Sequence, residues 1–303
     1  MSTHDTIWVM HAGALGDWVL VWPLLRTLAR GGATVVAVAH DSKGKLAAKW
    51  LDAPSGRIVA LPGGIDQPRF SRWWAGPDEH TNTSPDAHRP NRVITFLCDD
   101  STPAGQQWIR AARAEFPDAI IQCIGAPGSA SRAELWRQEE VTQRGQVAAR
   151  HNPHRPVVCH VGAGSPGKRW PMARWSELAA DFRTRGIETA FLAGEVEHER
   201  FDANERAAFA SLGGAFTDAL DDLATRIASA RLFIGADTGP THLAAQLGVP
   251  TLALFGPTDP AVWSPVGPVV RILAPQSPAS LDWLSPGAVL TAACDLYAYT
   301  SHP

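Results

Sequence analysis

Short apolar runs recur along this chain, each followed by a segment with helical spacing. No other feature constrains the fold as tightly. TIWVM (6–10) precedes a helical stretch from Asp17 to Arg30, and TVVAVA (34–39) precedes one through Lys49. RIVAL (57–61), RVITFL (92–97) and AIIQCI (119–124) continue the series. Runs that are apolar nearly throughout, rather than at every second residue, suit strands covered on both faces. Their alternation with helices is the pattern of a parallel sheet. A long polar helix is expected over 131–150, and HNPHRP (151–156) then breaks the rhythm with two prolines. A boundary is expected there, dividing 1–152 from 153–303.

The rhythm then restarts. VVCHV (157–161), ETAFLAG (188–194), ARLFIGAD (230–237), TLALFG (251–256) and VVRILA (269–274) read as strands, with helices around 172–185, 197–211 and 240–247. The predicted fold is therefore α/β, with two Rossmann-like domains whose parallel sheets face a central cleft. Ligands of open α/β sheets sit beyond the carboxyl ends of the strands, so chemistry is sought at those ends. Residues 63–91 are too rich in turn-formers and too long for a plain connection, and are expected to be functional or mobile.

Composition narrows the classes. With 45% hydrophobic and 19% charged residues the chain has ample core, and a net charge of −3 gives no reason to expect a nucleic-acid partner. Cys98, Cys123, Cys159 and Cys294 are far apart and form no C-x-x-C pair, so neither a disulfide framework nor a zinc site is expected. The polar start MSTHDT and the lack of a long apolar run predict a cytoplasmic protein. Twelve tryptophans are many. Trp73, Trp74 and Trp50 fall in or near irregular stretches, where sugar-stacking or membrane-proximal surfaces would use them, and packing is the expected role of most of the twelve.

Four strand ends carry candidate chemistry. The first is GAGSPGKRWP (162–171), which fits the start of an NTPase phosphate loop and also G-x-G-x-x-G. Arg169 stands where the NTPase loop needs Ser or Thr, and Pro166 removes a backbone donor. The dinucleotide fingerprint needs an acid at the end of the next strand, whereas Glu188 lies at its start. What remains is an anion-binding turn that presents Lys168, or a surface loop with two solvated cations.

The second is GADTGPTH (235–242), where Pro240 suits a first helical turn capped by Thr238 or Gly239. Such a helix start favours a phosphate, and His242 lies on its first turn. Asp237 would repel a phosphate, so it should face a sugar or a basic residue. The third is HAGALGD (11–17). Its small residues, Gly13 among them, let a ligand approach the backbone. Asp17 opens a helix whose Val19, Leu20, Leu24, Leu25 and Leu28 face the core, and it is either an N-cap or a carboxylate able to take a proton from an attacking hydroxyl. The fourth is Glu197, which reads as a ribose-binding carboxylate or a solvated first-turn glutamate.

Together, GALGD (13–17) with PLLRTLA (23–29), GAGSPGKRWPMARWSELA (162–179) and ASARLFIGADTGPTHLAAQLGVPTLALFGPTDPAVWSP (228–265) resemble glycosyltransferase family 9, the ADP-heptose:lipopolysaccharide heptosyltransferases. The resemblance covers nearly all of the C-terminal half and the first thirty residues. It implies a GT-B fold and an inverting, metal-independent transfer in which the ADP-sugar is a substrate and no cofactor is used. It implies that Asp17 is the general base and that Lys168 pairs with the donor pyrophosphate. Thr238 and Gly239 would hold phosphate oxygens beside His242, Asp237 would touch the transferred sugar, and Glu197 the donor ribose. The implied acceptor is a lipopolysaccharide core or another glycan, with His11, Gly13, Arg69 and Arg72 as its expected contacts. Peripheral association with the inner membrane and a last helix that returns toward the first domain are also implied.

The chain departs from the family at His11, where lysine or arginine is frequent, at AGEVE (193–197), where a Gly-Gly-Pro turn is common, and at Thr241, which replaces a frequent methionine. Three other readings compete. One is a non-catalytic sugar-nucleotide-binding protein, which would not need Asp17. Another is a transferase using a different nucleotide sugar. The third is a nucleotide-dependent oxidoreductase, which the glycine loop opposes.

Overall fold

The computed structural model describes residues 5–51, 56–75, 88–124, 148–150, 152 and 154–299. The expected helix over 131–150 therefore lies almost wholly outside the described residues, as do 76–87 of the 63–91 stretch and the last four residues of the chain. The chain divides into two compact units, Met1–Gln146 and Val147–Pro303.

In the first unit five strands, β1 (Thr6–Met10), β2 (Thr34–Val38), β3 (Ile58–Ala60), β4 (Arg92–Thr95) and β5 (Ile120–Cys123), form one parallel sheet in the order β3-β2-β1-β4-β5. The stretch expected as one helix from Asp17 is two, α1 (Leu15–Leu20) and α2 (Trp22–Arg30). Pro23 has no N–H to continue the first helix, so the chain restarts at Val21. Val19, Leu20, Leu24, Leu25 and Leu28 are buried as the spacing predicted. Helix α3 (Asp41–Trp50) crosses from β2 to β3.

The 63–91 stretch is not wholly irregular. A 3-10 turn (Gly64–Asp66) leads into α4 (Pro68–Ala75), which packs on α5 (Pro103–Glu115). Phe70 and Trp73, one helical turn apart, give α4 its apolar stripe. Trp73 is thus a core residue, edge-on to Trp108 at 4.8 Å between ring centres, while Trp74 is exposed. Cys98 and Cys123, 25 residues apart, bring their sulfurs to 3.1 Å across the ends of β4 and β5.

In the second unit six parallel strands, β6 (Val157–His160), β7 (Thr189–Gly194), β8 (Ala215–Thr217), β9 (Leu232–Ala236), β10 (Thr251–Leu254) and β11 (Val270–Leu273), take the order β11-β10-β9-β6-β7-β8. The helices are α6 (Met172–Thr184), α7 (Glu195–Arg200), α8 (Ala203–Ser211), α9 (Leu220–Ala228), α10 (Gly239–Gln246), α11 (Pro260–Trp263) and α12 (Pro286–Tyr299). The helix expected over 197–211 is split because Asp202 caps a new one, its carboxylate accepting from the Glu205 N–H while Glu205 returns the bond. Strand β8 and helix α9 were not expected, since three residues at a sheet edge carry no run to read.

The last helix lies on the second unit's own core. Val289, Ala292, Ala293 and Leu296 are buried against α6, β9, β10 and β11. Among the described residues no helix is long and apolar enough to cross a membrane.

Both sheets have the doubly wound order. Strand order reverses between β1 and β4 in one and between β6 and β9 in the other, so a crevice opens at the carboxyl ends of those pairs. The core of the first unit rests on its aromatic cluster. Trp108→Ala should lower the unfolding free energy by about 3–5 kcal/mol in a urea titration. A change under about 1 kcal/mol would show that this cluster carries little of the unit's stability.

Candidate active site

In the second unit the loops after β6, β7, β9 and β10 meet at the sheet edge that the topology singles out. A 3-10 turn (Pro166–Lys168) lifts Lys168 from the loop after β6. The residues behind it act as anchors. Arg169 pairs with Glu205 at 3.0 Å, and the buried Trp170 donates its indole N–H to the Leu284 carbonyl at 3.0 Å. Lys168 is left to point the other way, where its Nζ lies 2.8 Å from Oδ2 of Asp237.

Asp237 is the centre of this cluster. It is 5% exposed. Besides Lys168 it accepts from Thr258 Oγ1 at 2.7 Å and faces His242 Nε2 at 3.3 Å. Burial alone would raise its pKa, but the hydrogen bonds from His242, Lys168 and Thr258 and the charge of Lys168 outweigh it and hold the carboxyl at about 2. The expectation that Asp237 faces a basic residue matches this geometry. Thr238 is the N-cap of α10 with its own side chain turned to the Ala236 carbonyl at 3.3 Å, and Thr238 and Gly239 are half-buried at the helix start. Thr258 went unread in the sequence, although it too follows a strand end.

Glu197 is buried at 4% exposure rather than solvated. Its Oε2 accepts from the Gly194 N–H at 3.0 Å. A Cβ on Gly162 would stand 2.2 Å from the Glu197 carboxyl carbon, so the carboxylate occupies the space a side chain would need. Nothing lies within 4 Å of a Cβ placed on Gly164 or Gly167. The G-x-G-x-x-G spacing is therefore incidental, and only its first glycine is sterically required. Beneath them, burial pushes the pKa of His160 down, against the opposing charge of Glu197. A small cleft lined by Ala163, Pro166, Arg169, Glu197 and Arg200 opens beside the loop.

In the first unit the loop after β1 carries the other candidates. His11 is buried and its Nδ1 accepts from the Gly13 N–H at 3.0 Å, which leaves the ring proton on Nε2. Asp17 is half-buried at the third position of α1, whose N-cap is Ala14, so it is not the cap that its sequence position allowed. Gly13 lies between them, for a Cβ there would stand 2.5 Å from His11 Cε1 and 3.1 Å from Asp17 Oδ2. Lys43, on α3, was not singled out in the sequence, yet its Nζ donates to the Gly13 carbonyl at 2.7 Å.

Arg69 departs from its expected role. Its guanidinium is 4.9–5.0 Å from the Trp8 and Phe70 ring centres and 3.4 Å from Glu115, so packing uses it inside the unit. Arg72, on the same helix, is exposed.

Residues 100–282, more than half of the chain, match the family model described as glycosyltransferase family 9 (heptosyltransferase). Lipopolysaccharide heptosyltransferase 1 of Pseudomonas aeruginosa is 42% identical over 94 residues, 31% of this chain and 26% of that protein. Lipopolysaccharide heptosyltransferase 2 of Escherichia coli is 27% identical over 153 residues, 46% of this chain and 43% of that protein. The chain thus spans less than half the length of these curated relatives. Among solved structures, a family 9 glycosyltransferase from Veillonella parvula aligns with a TM-score of 0.71 at 17% identity, covering 97% of this chain and 98% of that one. The E. coli heptosyltransferase WaaC with ADP aligns at 0.65 and 17%, covering 96% and 99%. These likenesses show the fold, which is GT-B.

The depressed Asp237 carboxyl fixes a pH dependence. A carboxyl whose pKa is lower in the folded state contributes stability above its unfolded value, and that stability disappears as pH falls toward the folded value. Between pH 5 and pH 2 the wild type should lose about 2 kcal/mol more unfolding free energy than Asp237→Asn, measured by urea titration at each pH. Parallel losses in the two proteins would place the stabilisation elsewhere.

Proposed function

The chain belongs to glycosyltransferase family 9, the heptosyltransferases, and we propose on that premise that it moves a heptose from an ADP-sugar to a lipopolysaccharide-core acceptor. The observation that carries this reading is the Lys168–Asp237–His242–Thr258 cluster at the β6/β9 crevice. It sets one partly exposed cation and a helix start beside a carboxylate that stays ionised. Solved structures of the E. coli heptosyltransferase WaaC carry ADP and ADP-2-deoxy-2-fluoro heptose, which supports the choice of donor.

In this reading the second unit binds the donor. Glu197 takes the ribose hydroxyls. Lys168, with 29% of its side chain exposed, swings part of its charge from Asp237 to the diphosphate. The N–H groups at Thr238 and Gly239 meet the phosphate oxygens, with His242 closing that side. Asp237 orients the transferred sugar.

The chemistry is a displacement at the anomeric carbon. Asp17 of the first unit takes the proton from the acceptor hydroxyl, whose oxygen attacks as the bond to the β-phosphate oxygen breaks. One such displacement inverts the anomeric configuration. The charge that builds on the departing ADP is met by Lys168 and the helix start, a preorganised arrangement that needs no metal. His11 and Gly13 line the acceptor side of the same loop, and Arg72 is the exposed cation left to meet acidic core groups. The reading places the protein at the cytoplasmic face of the inner membrane, where such an acceptor is presented.

The test is incubation with ADP-heptose and a lipopolysaccharide-core acceptor, following ADP release and the anomeric configuration of the product. Transfer with inversion that persists in EDTA is the expected outcome. A wild type that binds ADP yet transfers nothing would sink the reading. Lys168→Ala should lower turnover about 100-fold or more, because one charge-stabilising donor is lost. Asp17→Asn should lower it by a comparable factor. Gly162→Ala should push the Glu197 side chain out of place, weakening ADP binding about tenfold in calorimetry while the melting temperature moves by only a few degrees. Unchanged ADP binding would remove Glu197 from the donor site.

A further inference from the structure

Lys43 is joined to the Asp17 loop at both of its ends. Its Nζ donates to the Gly13 carbonyl at 2.7 Å, and its own carbonyl accepts from the Trp18 indole N–H at 2.9 Å. The first bond holds the loop four residues before Asp17, and the second holds the residue just after it. Trp18 is fully buried, so the donor of the second bond is shielded from water. The lysine side chain is itself partly buried, which lowers its pKa from the usual lysine value, while the charges of Asp17 and Asp66 pull it back up. A cation kept in a partly dry place needs such partners. Here one partner is the carboxylate to which the proposed reaction assigns the acceptor proton.

We propose that Lys43 is a positioning residue for Asp17, a charged clamp that fixes the His11–Asp17 loop in the geometry the transfer needs. The proposal rests on Asp17 being the base. A base must lie within hydrogen-bond reach of the hydroxyl it serves, and a displacement of about 1 Å costs on the order of 100-fold in rate. Gly13 itself has no side chain, and His11 Nδ1 accepts its N–H from within the same loop. The clamp comes instead from α3, a helix tied to the neighbouring strand.

Several titratable groups surround Lys43. Asp17 lies on α1, Asp66 on the 3-10 turn, and His40, 2.8 Å from Asp66, just before α3. His11 is at the end of β1. Asp41 and Lys45, paired at 2.5 Å, lie on α3 itself. Burial lowers the pKa of Lys43, so its ammonium loses its charge at a lower pH than an ordinary lysine.

The test compares Lys43→Met, Lys43→Gln and Lys43→Arg in the full chain. Deuterium uptake at residues 11–20 should rise about tenfold in rate in the Met and Gln variants and stay near wild type in the Arg variant. With ADP-heptose and a core acceptor, kcat should fall at least about tenfold in the first two, with KM for ADP-heptose unchanged. The wild-type rate should decline at alkaline pH, and that decline should be absent in Lys43→Arg, whose guanidinium keeps its charge. If the Met variant does not fold, the Gln variant, which keeps a donor but no charge, carries the same comparison. Wild-type uptake and kcat in the uncharged variants would overturn the proposal. Asp17→Asn separates the two readings. Full turnover in that variant removes Asp17 as base, whereas an inactive Asp17→Asn beside a fully active Lys43→Gln removes only the clamp.

Discussion

Asp237 is a negative charge that water scarcely reaches, and the loops of the second unit are arranged around it. An ionised carboxylate in such a place is tolerable only when its oxygens are met by donors and a counter-charge. Here those come from three separate strand ends: Lys168 after β6, His242 after β9 and Thr258 after β10. The carboxylate thereby fixes the relative positions of loops far apart in sequence. It also keeps Lys168 aimed at the crevice before any ligand arrives. An anion that enters can share that lysine, because Asp237 retains two further partners.

The convergence follows from an older constraint. Every pairing in both sheets is parallel. A parallel strand must be followed by a crossover, so all strands of one sheet end on the same edge. That is why the apolar runs alone were enough to point at the candidate site. Once TIWVM, VVCHV, ARLFIGAD and TLALFG read as strands, the residues just after each had to share an edge with those of its sheet. Lys168, Glu197, Asp237, Thr238 and His242 were all legible by this rule. Thr258 and Lys43 obey it too, each following a strand directly or opening the next helix, but a lone hydroxyl and a lone lysine carry no pattern to mark them.

What escaped the sequence is local competition. Asp17 looked like a helix opener, yet the helix begins at Leu15, because Ala14 can take the N-cap backbone conformation without supplying a cap. The adjacent tryptophans 73 and 74 sat among turn-formers. Helical spacing buries one and exposes the other, so a single dipeptide holds both a core residue and a surface residue. Arg69 was read as a surface cation. Its side chain instead lies along two aromatic rings and ends on Glu115, since a long arginine can bury its stem and stack its planar head. For Trp73 and Arg69 the deciding partner lies tens of residues away on another element, where periodicity says nothing.

The glycine-rich loop shows how a motif should be weighed. Three glycines satisfied a familiar spacing, and two of them have open space where a side chain would go. The third, Gly162, is required for a reason outside the motif: the carboxylate of Glu197 fills its Cβ position. Glu197 in turn is held by the Gly194 N–H, at the very turn where the AGEVE sequence departs from the family's usual Gly-Gly-Pro. A glutamate three residues into a helix can reach back to the N–H that precedes it, so this turn closes without the proline. The loop after β6 and the turn after β7 are therefore one unit built around a buried carboxylate, as the loops after β6, β9 and β10 are built around another. Two buried acids, each with its own donors, set the shape of this edge, and the glycines and the lysine take their places from them.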